Sequence, residues 1–425
     1  MESVYDGDLD IKPKGTFNEW LDMYNTNVKG RKELEFIFLI GLSSALIGII
    51  GRSISMENPI VHIYGDSSSG KTTAVQLALS SWGNPSLRTN GIMQTFNETI
   101  NSLMHNLNGN NGIAMCFDEI SMSSSEDFTS FIYSISNGKE KGRLINEIGK
   151  GYVKAEQKTW NTVVLSTGEY NILERAKEND GLKVRVYSIG GIKWTKNASS
   201  ADAIKNCVLH NYGYIGSIFA EVLVELGEEV LINRYERQLE RVIQALKKRE
   251  VFDEFTARRA KYYALLIVTY NIVTLAMNIE MNLNGIFSMM LNIERDSIKE
   301  RNVAEMAYHK FLETISKNRR KFPMIESKRK RGITKNEDVW GYVLKKDIQA
   351  EIFPQEFKKQ CSQLGFQSHT VILNKWKQMG ILDHESDRLC RDRKVGQMYV
   401  INVDKEFIEG LSQDNTDLDD NIQLL

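Results

Sequence analysis

The sequence predicts an α/β chain: a parallel sheet that carries a phosphate-binding loop, then a helical region, then a small winged unit. Three observations predict it. Residues 59–73 read PIVHIYGDSSSGKTT, an apolar run that breaks at Gly65 and runs into helical periodicity. Roughly 45 residues on, a second apolar run ends in the acidic pair Asp118-Glu119. Beyond residue 199 the pattern turns helical, with almost no Pro or Gly until a basic cluster at 317–335.

Length and charge set the frame. The chain has 425 residues, enough for two or three domains, and a net charge of −1. No global field therefore attracts nucleic acid, and any such binding must come from local patches. The four cysteines, Cys116, Cys207, Cys361 and Cys390, lie far apart with no CxxC. That spacing excludes a disulfide framework and a Cys/His zinc site and fits a reducing compartment. The start is polar and acidic, without a secretory pattern, so the expected location is cytoplasmic.

Residues 1–30 are a polar N-terminal segment with a helix expected from Thr16. Phe36 to Gly51 is apolar and uncharged but spans only about 16 residues, where a membrane crossing needs about 20. A helix buried in the core of the nucleotide-binding region, expected over 31–195, explains it better.

The phosphate loop follows. Ile60, Val61, Ile63 and Tyr64 predict a buried strand. Gly65, Asp66, Ser67, Ser68, Ser69, Gly70, Lys71 and Thr72 then complete GxxxxGK[ST], with Thr73 in the helix it opens. The two glycines let consecutive N–H groups turn toward one anion, and the helix N-terminus adds positive potential. Lys71 is expected at the β- and γ-phosphates of ATP and the Thr72 hydroxyl on Mg2+.

Trp82-Gly83-Asn84-Pro85 stops that helix, and a further helix is expected over 95–107. Ile113 to Phe117 forms the strand before Asp118-Glu119: Asp118 to orient Mg2+ through water, Glu119 to polarise the attacking water. Two alternating runs flank Gly149-Lys150-Gly151 and predict a hairpin with Lys150 at its tip and Lys154 on its return strand. A solvated lysine hairpin and a loop that grips a phosphate backbone both fit. Asn161 to Leu165 is the next strand, ending in Ser166-Thr167, where a hydroxyl beside the acidic pair could sense the γ-phosphate. Leu182 to Ile189 gives a fourth, with Arg185 near its start. That arginine fits a surface position or a reach into a neighbouring copy's nucleotide.

The helical region is expected to form a lid over 196–325, with Arg258 and Arg259 before an apolar face, either solvated or closing over the nucleotide. The runs NRRK and KRKR mark a basic linker at its end. Residues 326–405 then read as a winged-helix-like unit, two helices followed by a ribbon holding Arg388, Arg391, Arg393 and Lys394. A helical adaptor with a charged hairpin fits the same pattern. The acidic tail, 406–425, is expected to be disordered.

With these residues in view, YGDSSSGKTTAVQLALSSWGNP, MCFDEIS, YSISNGKEKGR, VVLSTGE and GLKVRV, in this order, resemble the AAA+ ATPases of phages and mobile elements related to minichromosome-maintenance (MCM-like) helicases. The self-loading replicative helicases of staphylococcal cassette chromosomes and pathogenicity islands look most similar, over about residues 35–400. The resemblance implies an AAA+ core, an α-helical lid and a C-terminal winged helix. It implies an ATP- and Mg2+-dependent helicase or translocase, a homo-hexameric ring on single-stranded or forked DNA, with replication proteins as partners and no membrane. It puts Thr167 or Ser166 at sensor 1, Lys150 on a pore hairpin, Arg185 (or Arg175) as a trans-acting arginine finger, and Arg258 or Arg259 as the lid sensor. Relatives of this type usually carry a large N-terminal domain, and here about thirty residues precede the core. Two other classes remain in play: an ATP-gated DNA-binding initiator that does not unwind, and a protein-remodelling ATPase.

Overall fold

The computed structural model describes residues 9–88, 91–96, 99–120, 128–142, 144–147, 151–154, 156–174, 180–301, 303–326, 338–366, 368–386 and 388–420. They divide into two compact units, 1–298 and 299–425.

Unit 1 is mixed α/β. It opens with helices α1 (Phe17–Asn27) and α2 (Lys32–Ile50), followed by strand β1 (Ile60–Tyr64) and α3 (Lys71–Ser80). Next come β2 (Met93–Thr95), α4 (Ile100–Leu107), β3 (Met115–Asp118) and α5 (Phe128–Asn137). A hairpin of β4 (Leu144–Glu147) and β5 (Gly151–Lys154) precedes β6 (Val164–Gly168), α6 (Asp180–Lys183) and β7 (Val186–Ile189). The unit ends in α7 (Ala198–Val208), α8 (Tyr214–Leu226), α9 (Glu228–Lys247), α10 (Glu254–Ala276) and α11 (Leu283–Arg301), within whose last turn the division falls.

Five strands pair in the order β2-β3-β6-β1-β7, all parallel. Ile60 lies level with Val164 on one side and Val186 on the other. Every strand therefore ends at the same edge, where ligands bind in open α/β sheets. Met93 to Thr95 form β2 beside β3, with Met93 level with Cys116, and the helix expected over 95–107 begins at Ile100. Strand β2 is only three residues long, too short to show an alternation.

Helix α2 explains the apolar stretch. It is long and apolar enough to cross a membrane by composition alone, yet Leu34 to Ile47 are all buried in unit 1, against α3, α8, α9 and α10. A helix surrounded by protein must be apolar on every face. Its polar atoms are satisfied internally: Ser44 Oγ donates to Gly41 O at 2.7 Å and Gly112 O at 2.8 Å. Gly41 permits the close crossing with α3, because a Cβ there would stand 2.6 Å from the Ala78 carbonyl oxygen.

Unit 2 contains α12 (Val303–Lys317), β8 (Met324–Ile325), β9 (Gly341–Leu344), β10 (Gln349–Ile352), α13 (Pro354–Gln363) and α14 (His369–Gln378). Then come β11 (Leu382–Asp383), β12 (Arg391–Arg393), β13 (Gly396–Asn402) and α15 (Lys405–Asp420). The sheet runs β11-β13-β10-β9-β8, with β12 paired to β13 as a ribbon. Two expectations change here. The boundary expected at 325 falls at 298, because α12 gives Ala307, Phe311 and Ile315 to the core that Phe357 and Trp376 build. The tail expected to be disordered from 406 forms α15 as far as Asp420, since Ile408 and Leu411, three apart on one helix face, are buried in the same core.

Candidate active site

The loop between β1 and α3 owes its shape to three positive backbone angles. Gly65 has φ +135°, Ser68 +67° and Gly70 +89°. Gly70 must also lack a side chain, since a Cβ would stand 2.7 Å from Thr195 Oγ1. It caps α3 with no side-chain hydrogen bond, so the first-turn N–H groups of α3 face the loop as an anion-binding helix terminus. Lys71 Nζ reaches back across the loop to Gly65 O at 2.7 Å and Asp66 O at 2.9 Å. Asp66, Ser67 and Ser68 are exposed, and Trp194 N–H pins Ser69 O from the neighbouring segment at 2.9 Å. Thr72 and Thr73 begin α3 behind them.

The acidic pair comes to the same edge. Register sets Phe117 level with Ser166, so the next residues, Asp118 and Thr167, stand side by side past the strand pairing. Thr167 Oγ1 donates to Asp118 Oδ1 and accepts the Glu119 N–H at 3.0 Å. Glu119 has left-handed backbone, φ +57°, a strained conformation for a non-glycine residue held by its neighbours. Burial pushes the Asp118 carboxyl above its usual range; the Thr167 hydrogen bond and the Lys71 charge oppose this, and the Glu119 charge adds to it.

Ser166 faces the other way, as strand alternation requires. Its hydroxyl lies 2.9 Å from His62 Nδ1, and His62 Nε2 lies 2.8 Å from Tyr170 O. Of the two hydroxyls expected as sensor candidates, only Thr167 touches the acidic pair. Among the described residues no cluster of three or more His, Cys, Asp or Glu could hold a metal. One hydroxyl at Thr72 and one carboxylate at Asp118 suit Mg2+, which keeps most of its ligands as water and phosphate oxygen.

The arginines lie elsewhere. Arg185 O accepts from Ile60 N, which puts Arg185 at the start of the strands, about 16 Å from the loop by the length of β1. Its guanidinium bonds Glu57 Oε1 and Gly181 O, both at 2.6 Å, and sits 5.0 Å from the Tyr133 ring centre. Arg258 pairs with the other oxygen of Glu57 at 3.6 Å. Both line a small cleft of about 140 Å³ with Tyr187 and Lys261.

The expectation that Arg259 faces nucleotide is corrected. It is 1% exposed and its Nε pairs with the buried Glu294 at 2.7 Å. Its other nitrogens reach Lys183 O and Val186 O, each at 2.8 Å, and the Tyr263 hydroxyl at 3.3 Å. A guanidinium so engaged has no reach toward the loop.

Lys150 and Arg175 lie outside the described residues. Lys154 is on β5, paired with Leu144 of β4 in the expected antiparallel hairpin.

In unit 2 the basic ribbon is largely neutralised from within. Arg388 pairs with Glu385 at 2.9 Å and Asp392 at 3.0 Å, Arg391 with Asp383, and Arg393 with the buried Glu351 at 2.7 Å. Helix α14 instead offers an exposed face of Thr370, Val371, Asn374 and Gln378, with Lys375 and Lys377 beside it. Glu57, His62 and Trp194 are the residues sequence reading missed. Each acts through a partner distant in sequence, and only a buried-strand histidine, His62, carried any signal of its own.

A parallel α/β sheet thus carries a glycine-turned loop at its strand-end edge with an acidic pair beside it. Residues 2–155 match a family described as a domain of unknown function (DUF927), and residues 302–406 match one described as the Cch helix turn helix domain. A solved structure titled "SCCmec type IV Cch - active helicase" is similar to this chain at 29% identity and TM-score 0.78, over 95% of this chain and 73% of that one. No curated protein matches.

Proposed function

We propose that the chain is an ATP-dependent DNA helicase or translocase, an MCM-like AAA+ motor that works as a hexameric ring in the cytoplasm, replicating a phage or mobile element. The observation that carries this reading is the meeting of Lys71, Asp118, Glu119 and Thr167 at the strand-end edge beside the glycine-turned loop. The likeness to an active helicase over 95% of the chain supports it, as does the helix-turn-helix match for DNA binding through a winged-helix-like unit.

Bound ATP and Mg2+ supply the phosphoanhydride and its charge neutralisation. Lys71, which now donates to two loop carbonyls, would bind phosphate oxygens instead, a stronger charge-assisted contact. Thr72 and Asp118 would hold the metal ion. Glu119 orients the attacking water, and Thr167 fixes both acidic residues at once through one hydroxyl. Arg185 cannot serve its own loop, at the far end of β1, and completes the site of another copy. Lys150 and Lys154 hold the DNA backbone.

The test is strand displacement with ATP, with turnover measured in the presence and absence of single-stranded DNA. Lys71→Ala abolishes turnover, and Glu119→Gln binds ATP but turns it over slowly; normal turnover in both removes the catalytic reading. The helix-turn-helix match also favours an ATP-gated initiator switch. Sequence-specific duplex binding without displacement selects that reading.

A further inference from the structure

Arg259 belongs to no nucleotide contact, yet five polar groups converge on it in the interior of unit 1. Two of them are backbone carbonyls, Lys183 O and Val186 O, each 2.8 Å from Nη1. These carbonyls bracket Arg185 in the sequence. The same guanidinium lies 4.1 Å from the centre of the Tyr187 ring, and Tyr187 donates its hydroxyl back to Arg259 O at 3.2 Å. Glu294 on α11 holds the arginine through Nε, and Thr256 and Tyr263 on α10 both donate to Glu294, at 2.7 and 2.9 Å.

We propose that Arg259 is a positioning residue for Arg185: it staples the backbone on both sides of that arginine to α10 and α11. The inference rests on the reading that Arg185 completes the nucleotide site of another copy. A buried ion pair is weak evidence for stability by itself, because desolvation offsets attraction. What this one adds is geometry. Five guanidinium N–H groups in a fixed plane span Glu294 and two carbonyls at once, which a lysine's single nitrogen cannot do. A reaching side chain misplaced by about 1 Å can cost 10²-fold in rate. The Arg185 guanidinium, held in this chain by Glu57 and Gly181 O, needs a fixed root if it is to reach another copy, and the hydrogen bonds of Arg259 supply it.

Mixed assemblies test the proposal. Lys71→Ala chains have no working loop but carry Arg185, and Arg185→Ala chains have the reverse. Mixing the two restores turnover if Arg185 acts between copies. The doubly substituted Lys71→Ala, Arg259→Lys chain is expected to restore roughly 10- to 100-fold less. As acceptor, Arg259→Lys mixed with Lys71→Ala is expected to recover turnover as well as Arg185→Ala does. A general structural defect would impair both roles, so loss of the acceptor role overturns the proposal. Equal restoration by the single and double donors also overturns it while leaving the trans reading intact. Failure of Lys71→Ala to restore Arg185→Ala removes that reading, and the proposal with it. If Arg259→Lys does not fold, Tyr263→Phe takes its place, deleting the hydroxyl shared by Arg259 and Glu294 without changing charge. A partial, donor-only loss is then expected, and undiminished restoration overturns the proposal.

Discussion

Thr167 and Asp118 share one hydrogen bond across two neighbouring strands, and the same threonine oxygen takes the backbone N–H of Glu119. A single hydroxyl thus fixes the side chain of one acidic residue and the backbone of the next.

Thr167→Val removes that hydroxyl at nearly constant volume. Turnover is expected to fall about 10²-fold, the scale of losing one oriented polar group in a catalytic site. Nucleotide affinity should change far less, because the loop is untouched. Steady-state turnover alongside equilibrium nucleotide binding measures the split. Ser166→Ala, which breaks a contact to His62 instead, is the control and should retain most of the rate.

His62 gives stability a pH dependence. It is fully buried, and burial pushes its pKa down to about 4 from 6.5, against the pull of the Tyr170 carbonyl. Above pH 6.5 the imidazole is neutral in both folded and unfolded chains. Between 6.5 and about 4 the unfolded chain binds a proton that the fold excludes, so stability falls as pH drops. The full loss is about 3 kcal/mol. Thermal midpoints across that window measure it, and His62→Gln should flatten the slope by one proton.

Gly41→Ala tests the crossing of α2 and α3. The new methyl would meet the Ala78 carbonyl, whose backbone cannot step aside. Forcing an extra methyl into a packed interior costs about 1–3 kcal/mol. Urea unfolding should show a lower midpoint at unchanged slope.

For duplex DNA, the ribbon arginines and the α14 face are expected to part company. Asn374→Ala should lower affinity by about 1–3 kcal/mol at the preferred sequence, the scale of one base contact. Arg393→Ala should instead destabilise unit 2, because it removes the guanidinium that pairs with the buried Glu351 carboxylate. Binding isotherms over a salt series, with parallel melts, separate the two effects.

Much of unit 1 could be read from residues. The strand-loop-helix at 60–80 and the strand ending at Asp118 carry their chemistry in local spacing, and the five strands carry all but β2 in apolar runs. What sequence could not show depends on pairing across the chain. Ser166 and Thr167 are equal candidates in one dimension; the register of β3 with β6 separates them. Arg258 and Arg259 are adjacent and chemically alike, yet helix rotation leaves one half-exposed at Glu57 and buries the other against Glu294. The ribbon arginines read as a positive patch because their carboxylates, Glu351 and Asp383, stand on other strands. The tail misled for a related reason: acidic residues dominate its composition, while Ile408 and Leu411 decide its first turns.

The burial of α2 has a consequence for biosynthesis. One of its main covers, α10, is Glu254–Ala276, made more than two hundred residues after α2 itself has left the ribosome. Through that interval the nascent polypeptide carries an incompletely covered greasy rod, the kind of surface that aggregates or recruits chaperones. Translation halted before residue 254 should leave a product that precipitates, and heterologous yield should respond to holdase levels more than to any change in the catalytic loop.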